Sequence, residues 1–188
     1  MHKGGFFVII KIDIKTIFME IKLEKKVMQG LEWITKILDK NKIPYKIGGG
    51  FAAKVYGSPR GVNDIDISLS GKYFDIIVPE VFDYITAGPK HYLNEKWDCN
   101  TLSVNYNGQD IDMTDVDTLK MTDLKLTKWI NVKESRLFDG IITNINGVVV
   151  SIMDPRDLIS YKKELGGEYQ LIDIESIQKY LDKNNLNK

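Results

Sequence analysis

The sequence predicts an α+β fold built on a mixed, largely antiparallel sheet, and three observations predict it. Two hairpins are directly legible: residues 102–106 and 109–114 flank Asn107-Gly108, and residues 141–145 and 148–152 flank Asn146-Gly147. Asn-Gly suits a two-residue type I′ turn, in which both central residues take positive φ. Second, Val27, Leu31, Ile34 and Leu38 recur at helical spacing among lysines and glutamates, the pattern of an amphipathic helix over 23–40. Third, Asp154-Pro155 supplies an N-cap acceptor and a proline at the first helical position, so helices gather at the C-terminal end. Hairpin strands with helices between and after them indicate α+β rather than a doubly wound sheet.

The elements follow in order. Residues 1–18 read as an N-terminal extension, a strand or a disordered segment, ahead of one domain over 19–188. That domain includes a C-terminal helical segment over 154–184. The apolar run 6–10 is too short to span a bilayer, and it lacks the apolar core and cleavage site of a signal peptide. No membrane partner is expected. Beyond Pro44, residues 45–47 form a short strand entering Gly48-Gly49-Gly50. Residues 52–56 read as a short helix closed by the Gly57-Ser58-Pro59 turn, and 63–69 as a strand. A helix over 73–85 is interrupted at Pro79, which removes one donor. Residues 87–100 read as a loop containing Gly88-Pro89 and Lys96-Trp97-Asp98. The helix opened at Asp154 runs to Gly166-Gly167, a last helix covers 169–181, and the polar tail 182–188 frays.

Composition narrows the function classes. Hydrophobic residues make up 43% and charged residues 28% of 188, enough for one globular core. Lysine plus arginine balances aspartate plus glutamate at 26 each. That argues against a protein living on nonspecific contacts to nucleic-acid backbones, which favour a basic excess. With Cys99 the sole cysteine, no intrachain disulfide forms, and the expected compartment is the reducing cytoplasm. Cys99, His2 and His91 cannot complete a four-ligand zinc site. A Cys99–His91 dyad competes with a plain half-buried thiol.

The chemistry concentrates between Lys46 and Ser70. Asp64 and Asp66 lie two apart in a strand, so both side chains point to one face. Asp110 and Asp112 repeat the pattern, with Ile111 and Met113 turned the other way. If the two strands are neighbours, Asp64, Asp66 and Asp112 converge. Such a set can hold Mg²⁺ ions, with one carboxylate bridging or accepting the proton of an attacking hydroxyl. Asp110 falls at the rim. The bland alternative is a solvated strand face. The glycine triplet leaves N–H groups open to phosphate at a helix start, or simply makes a tight turn. It also satisfies the dinucleotide spacing as Gly48, Gly50 and Ala53, with Asp66 eighteen residues after Gly48. A ribose-binding acid, however, belongs at the end of the second strand, and these acids sit at its start.

Gly49-Gly50-x-Ala52, then Gly57-Ser58-x-Arg60, then Asp64-Ile65-Asp66 resembles the signature of the DNA polymerase β-like nucleotidyltransferase superfamily. The similarity is to its small prokaryotic members, the lincosamide and aminoglycoside adenylyltransferases and the nucleotidyltransferase toxins of abortive-infection systems. The run from Gly108 to Met113 resembles the strand that bears the third carboxylate, placed here at Asp112. The run from Asp154 to Lys162 resembles their "P-x-D-L-I-x-x-K" helix, and Asp173-Ile174 falls where they carry a D-I pair. One departure is Asn63, where threonine is usual. The resemblance implies a nucleotidyltransferase-type sheet flanked by helices. It further implies transfer of a nucleoside monophosphate from a nucleoside triphosphate such as ATP to a hydroxyl acceptor (small molecule, protein or RNA). Asp64 and Asp66 would coordinate two Mg²⁺, and Asp112 would join one metal and act as base. Gly49, Gly50 and Ser58 would hold the triphosphate. Arg60 and Lys162 would neutralise phosphate, unless they are ordinary solvated side chains. The alternative on the same fold is a nucleotide-binding or toxin–antitoxin interaction module with little catalysis.

Overall fold

Ile65, Ile67 and Leu69 alternate with Asp64, Asp66 and Ser68, so the strand they form buries one face and opens the other. That strand is the centre of the molecule. The computed structural model describes residues 17–132 and 140–186. Its elements in chain order are β1 (Ile17–Met19), α1 (Lys25–Lys40), β2 (Tyr45–Ile47), α2 (Gly49–Val55), β3 (Asp64–Leu69), α3 (Phe74–Val81), β4 (Ile85–Leu93), β5 (Trp97–Tyr106) and β6 (Gln109–Asp115). There follow β7 (Lys120–Thr122), β8 (Trp129–Asn131), β9 (Gly140–Ile145), β10 (Val148–Met153), α4 (Pro155–Leu165) and α5 (Glu168–Lys183). The strands form one sheet in the order β1-β9-β10-β2-β3-β6-β5-β7-β8, with β4 also pairing with β5. The pairs β1/β9, β10/β2 and β3/β6 are parallel and the other described pairs antiparallel, giving the mixed, largely antiparallel sheet.

Both Asn-Gly hairpins form, β5/β6 and β9/β10, with Asn107, Gly108, Asn146 and Gly147 at positive φ as the type I′ turn requires. The amphipathic helix is α1, which buries Val27, Leu31, Ile34 and Leu38. It lies on the sheet face that carries Ile111. At Gly30 the helix approaches so closely that a Cβ would stand 2.9 Å from Cγ of Gln109. Trp33 of α1 stacks on Tyr106 at the end of β5, with ring centroids 4.4 Å apart. The α4 start is as expected: Asp154 accepts a hydrogen bond from the Arg156 N–H at 2.8 Å.

Three local expectations need correction. The short helix begins at Gly49 rather than at 52, so the glycines belong to its first turn. The helix expected over 73–85 is α3 alone, bracketed by 3-10 turns at Gly71–Tyr73 and Phe82–Tyr84, and Ile85 already begins a strand. Residues 87–100 are not a loop. They form β4 and the first part of β5, paired from Ile85↔Val104 to Leu93↔Asp98 with two register shifts. An edge strand with one neighbour tolerates proline and needs no strict apolar alternation, so its sequence looks like a loop. The short strands β7 and β8 carry no such signal either. Of the extension over 1–18, residues 17 and 18 belong to β1, which runs on into Met19, and residues 1–16 lie outside the described residues. Among the described residues no helix is long and apolar enough to cross a membrane.

The two faces of β3 make separable predictions. Ile65 is fully buried, so Ile65→Ala is expected to cost about 2–5 kcal/mol of unfolding free energy. Its neighbour Asp64 faces the opposite side, and Asp64→Asn is expected to leave the denaturant midpoint at or above that of the wild type. Equal losses in the two variants, measured by urea unfolding, would contradict this division of faces.

Candidate active site

The parallel pairing of β3 with β6 sets the site. Its register places Asp66 opposite Asp112 and Asp64 opposite Asp110, and on the other side of β6 Ser103 lies opposite Asp112. Asp64, Asp66 and Asp112 are thereby brought to one face and remain half-buried. Asp110 is exposed and accepts a hydrogen bond from Asn105 Nδ2 at 2.7 Å. The Ser103 hydroxyl donates to Asp112 Oδ1 at 2.5 Å, fixing that carboxylate. Burial, then the Asp64 and Asp112 charges, push the Asp66 carboxyl up to about 7, against the opposing pull of Lys162 and a hydrogen bond from the Gly50 N–H. Asp64 is also raised, first by burial and then by Asp112.

Among the described residues no group of three or more carboxylate, imidazole or thiol side chains is placed to hold a metal ion as it stands. The donor chemistry nonetheless suits a hard divalent cation: three carboxylates share one face, and burial first, neighbouring carboxylates second, disfavour the anionic form of Asp64 and Asp66, which a cation would restore. Asp64, Asp66 and Asp112 are the residues that would hold it.

Asp66 also explains the glycine turn. Gly49 sits at φ 57°, and a Cβ there would fall 1.5 Å from Asp66 Oδ2. A side chain at 49 would therefore occupy the carboxylate's own position, so the triplet is tied to the acid on the adjacent strand β3. Gly50 donates its N–H to that carboxylate, while Gly48 and Gly49 line the adjoining cavity.

Ser58, Arg60 and Lys162 converge on a different acid. Ser58 Oγ donates to Asp173 Oδ1 at 2.6 Å, and Arg60 Nη1 and Lys162 Nζ reach Asp173 Oδ2 at 2.7 and 2.8 Å. Lys162 also donates to Gln170 Oε1 at 2.9 Å, and Arg60 lies over the Tyr169 ring at 4.9 Å. Lys162 and Asp173 are only 2% and 1% exposed, so Lys162 is no solvated lysine. The cluster ties the loop before β3 to α4 and α5. Through Lys162 it also reaches the Asp66 field. Asp173 was legible as more than a motif match, because it occupies the buried stripe of α5 together with Ile177 and Leu181, where a charge demands a partner.

A cavity of about 380 Å³ opens beside the carboxylates. Its wall includes Trp97, Cys99, Thr101 and Ser103, alternate residues of β5 on one face. Reading 87–100 as a loop concealed this alternation. Cys99 is buried and its thiol is pushed up to about 11, chiefly by burial. His91 instead pairs with Asp98 at 2.7 Å, and a Cys99–His91 dyad does not form. The dinucleotide alternative also fails, because β2 and β3, on either side of the glycines, are antiparallel where that motif requires a parallel βαβ unit.

Two outcomes are expected. Asp173→Ala leaves Lys162 buried without its carboxylate and should cost about 3–5 kcal/mol of stability, whereas Asp173→Leu combined with Lys162→Met should recover much of that loss in denaturant unfolding. For Asp66 the folded carboxyl titrates near 7 and an unfolded one near 4. Between those values the unfolded chain has already released its proton, so metal-free stability should fall as pH rises from about 4 to about 7 and then level off. Asp66→Asn should flatten that decline in thermal melts; an unchanged slope would contradict the assignment.

No protein-family model and no curated protein sequence matches the chain. Solved structures do. A protein of Thermotoga maritima assigned as a nucleotidyltransferase superposes with a TM-score of 0.61 at 14% identity, over 87% of this chain and 97% of that one. The antibiotic-resistance factor ANT(2'')-Ia in solution gives 0.51 at 15% identity, over 84% and 85%. Its crystal structure in complex with adenylyl-2''-tobramycin gives 0.50 at 17%, over 83% and 90%. At these identities the likeness is one of fold: the chain has the α+β fold of these nucleotidyltransferase structures.

Proposed function

We propose that this protein is a Mg²⁺-dependent nucleotidyltransferase that moves a nucleoside monophosphate from a nucleoside triphosphate to a hydroxyl. The observation that carries the reading is the register of β3 on β6, which sets Asp66 beside Asp112 at the edge of a cavity, with Asp64 on the same face. The shared fold with nucleotidyltransferases supports it.

Asp64, Asp66 and Asp112 are assigned as the metal ligands. Bound there, two Mg²⁺ would supply positive charge to the phosphates and hold the reacting oxygens in line. Asp112 is the base. Its carboxylate is steadied by the Ser103 hydroxyl and accepts the proton as the acceptor oxygen bonds to the α-phosphorus. The bond from that phosphorus to the β-phosphate oxygen breaks and pyrophosphate leaves. Gly49 and Gly50 shape the phosphate side of the site, and Arg60, with 29% of its side chain exposed, can turn one face toward phosphate. Ser58 and Lys162 contribute to the nucleotide side from the Asp173 cluster. The Asp66 carboxyl near 7 suits a group that becomes fully anionic only once a cation compensates it.

Incubation with each α-labelled triphosphate and a cell lysate is expected to label an acceptor fraction and release pyrophosphate. Asp64→Asn, Asp66→Asn and Asp112→Asn should each reduce transfer to background while keeping the wild-type circular dichroism spectrum. Near-normal turnover in any of them would remove that residue from the mechanism. Triphosphate binding that ignores Mg²⁺, with no pyrophosphate released, would favour a nucleotide-binding or toxin–antitoxin module instead.

A further inference from the structure

The sheet face that carries the carboxylates changes character along its strands. Asp66 and Asp112 stand at one end of the cavity. One step along the strands come Ser68 on β3, Thr114 on β6 and Thr101 on β5, the last two directly opposite one another. The Thr101 and Thr114 hydroxyls enter no hydrogen bond with the described residues, so they are available to a ligand. Further along, Trp97 and Tyr161 form a tilted aromatic pair with centroids 6.1 Å apart, and Tyr92, Cys99 and Leu119 complete the wall. Burial and the charges of Asp66 and Asp64 push the Tyr161 phenol up, so it serves as a neutral hydrogen-bonding group.

Charge is what this wall lacks. Among the described residues lining the cavity, the sole carboxyl groups are those of Asp66 and Asp112, already assigned to metal and base, and none carries an ammonium or guanidinium group. A polycationic acceptor would need further carboxylates, because an ammonium group moved out of water requires a partner. A phosphate-bearing acceptor would need lysine or arginine, and neither lines the cavity among the described residues. Hydroxyls backed by an aromatic pair instead suit an uncharged ring that carries hydroxyl groups: its edge finds Thr101 and Thr114, and its flat apolar face rests on Trp97.

The geometry points to an uncharged, hydroxyl-bearing ring compound of sugar or nucleoside type as the acceptor, seated between Asp112 and Trp97. This rests on the transferase reading above. It differs from the polycationic tobramycin that appears, adenylylated, in the complex with ANT(2'')-Ia.

The test compares acceptors at equal concentration with Mg²⁺ and the preferred α-labelled triphosphate. Uridine, adenosine and an aryl glucoside are the uncharged probes, tobramycin the polycation and uridine 5′-monophosphate the anion. An uncharged probe is expected to give kcat/KM at least about tenfold above either charged one, corresponding to about 1.4 kcal/mol. Trp97→Ala should raise its KM roughly tenfold, and Thr114→Asp should shift preference toward tobramycin. Equal or better use of a charged probe overturns the inference. So does the failure of every uncharged probe both to accept label and to quench tryptophan fluorescence saturably in the presence of triphosphate. Calorimetry separates the two levels. Absent Mg²⁺-dependent triphosphate binding sinks the transferase reading, whereas intact binding with a charged-acceptor preference sinks the acceptor class alone.

Discussion

The constraint on which the rest depends is the parallel register of β3 on β6. It sets Asp66 beside Asp112 and, through the alternation of both strands, sends Ile65, Ile67, Ile111 and Met113 together to the opposite face. A shift of one residue would exchange the faces, burying carboxylates under α1 and exposing isoleucines to the cavity. The core and the site are thus two sides of one pairing. The apolar burial that stabilises the fold also confines three like charges to one place.

Holding them there has structural costs that the surrounding residues offset. Asp66 receives the Gly50 N–H and is felt by Lys162, and its carboxylate occupies the space a side chain at Gly49 would need. Lys162 is in turn neutralised by Asp173, which also gathers Ser58 and Arg60. Removing a charge from such a chain leaves its neighbour buried and unpaired, which is where a buried ion pair exerts its largest effect. The C-terminal helices are therefore coupled electrostatically to a site whose acids lie on distant strands.

The site also has two chemically distinct halves. Carboxylates and glycines occupy one, and hydroxyls and aromatic rings from β5, β6 and α4 the other. The first half is the one the proposed transfer would use. On the proposed reading, the second is the half that would face an acceptor.

Much of this was legible in the sequence alone. Local rules determined the Asn-Gly hairpins, the α1 stripe, the Asp154 cap and the same-face placement of Asp64 with Asp66, because turn φ values, helical period and strand alternation are set by adjacent residues. Three things only the tertiary structure decided. Whether β3 and β6 are neighbours depends on pairing across more than forty residues of chain. That Ser58, Arg60 and Lys162 meet at Asp173 depends on how α4 and α5 dock. The strand character of β4 comes from pairing at a sheet edge, where hydrogen bonds to a single neighbour impose no apolar pattern on the residues. Local sequence specifies conformation, whereas proximity between distant carboxylates follows from which apolar faces bury one another.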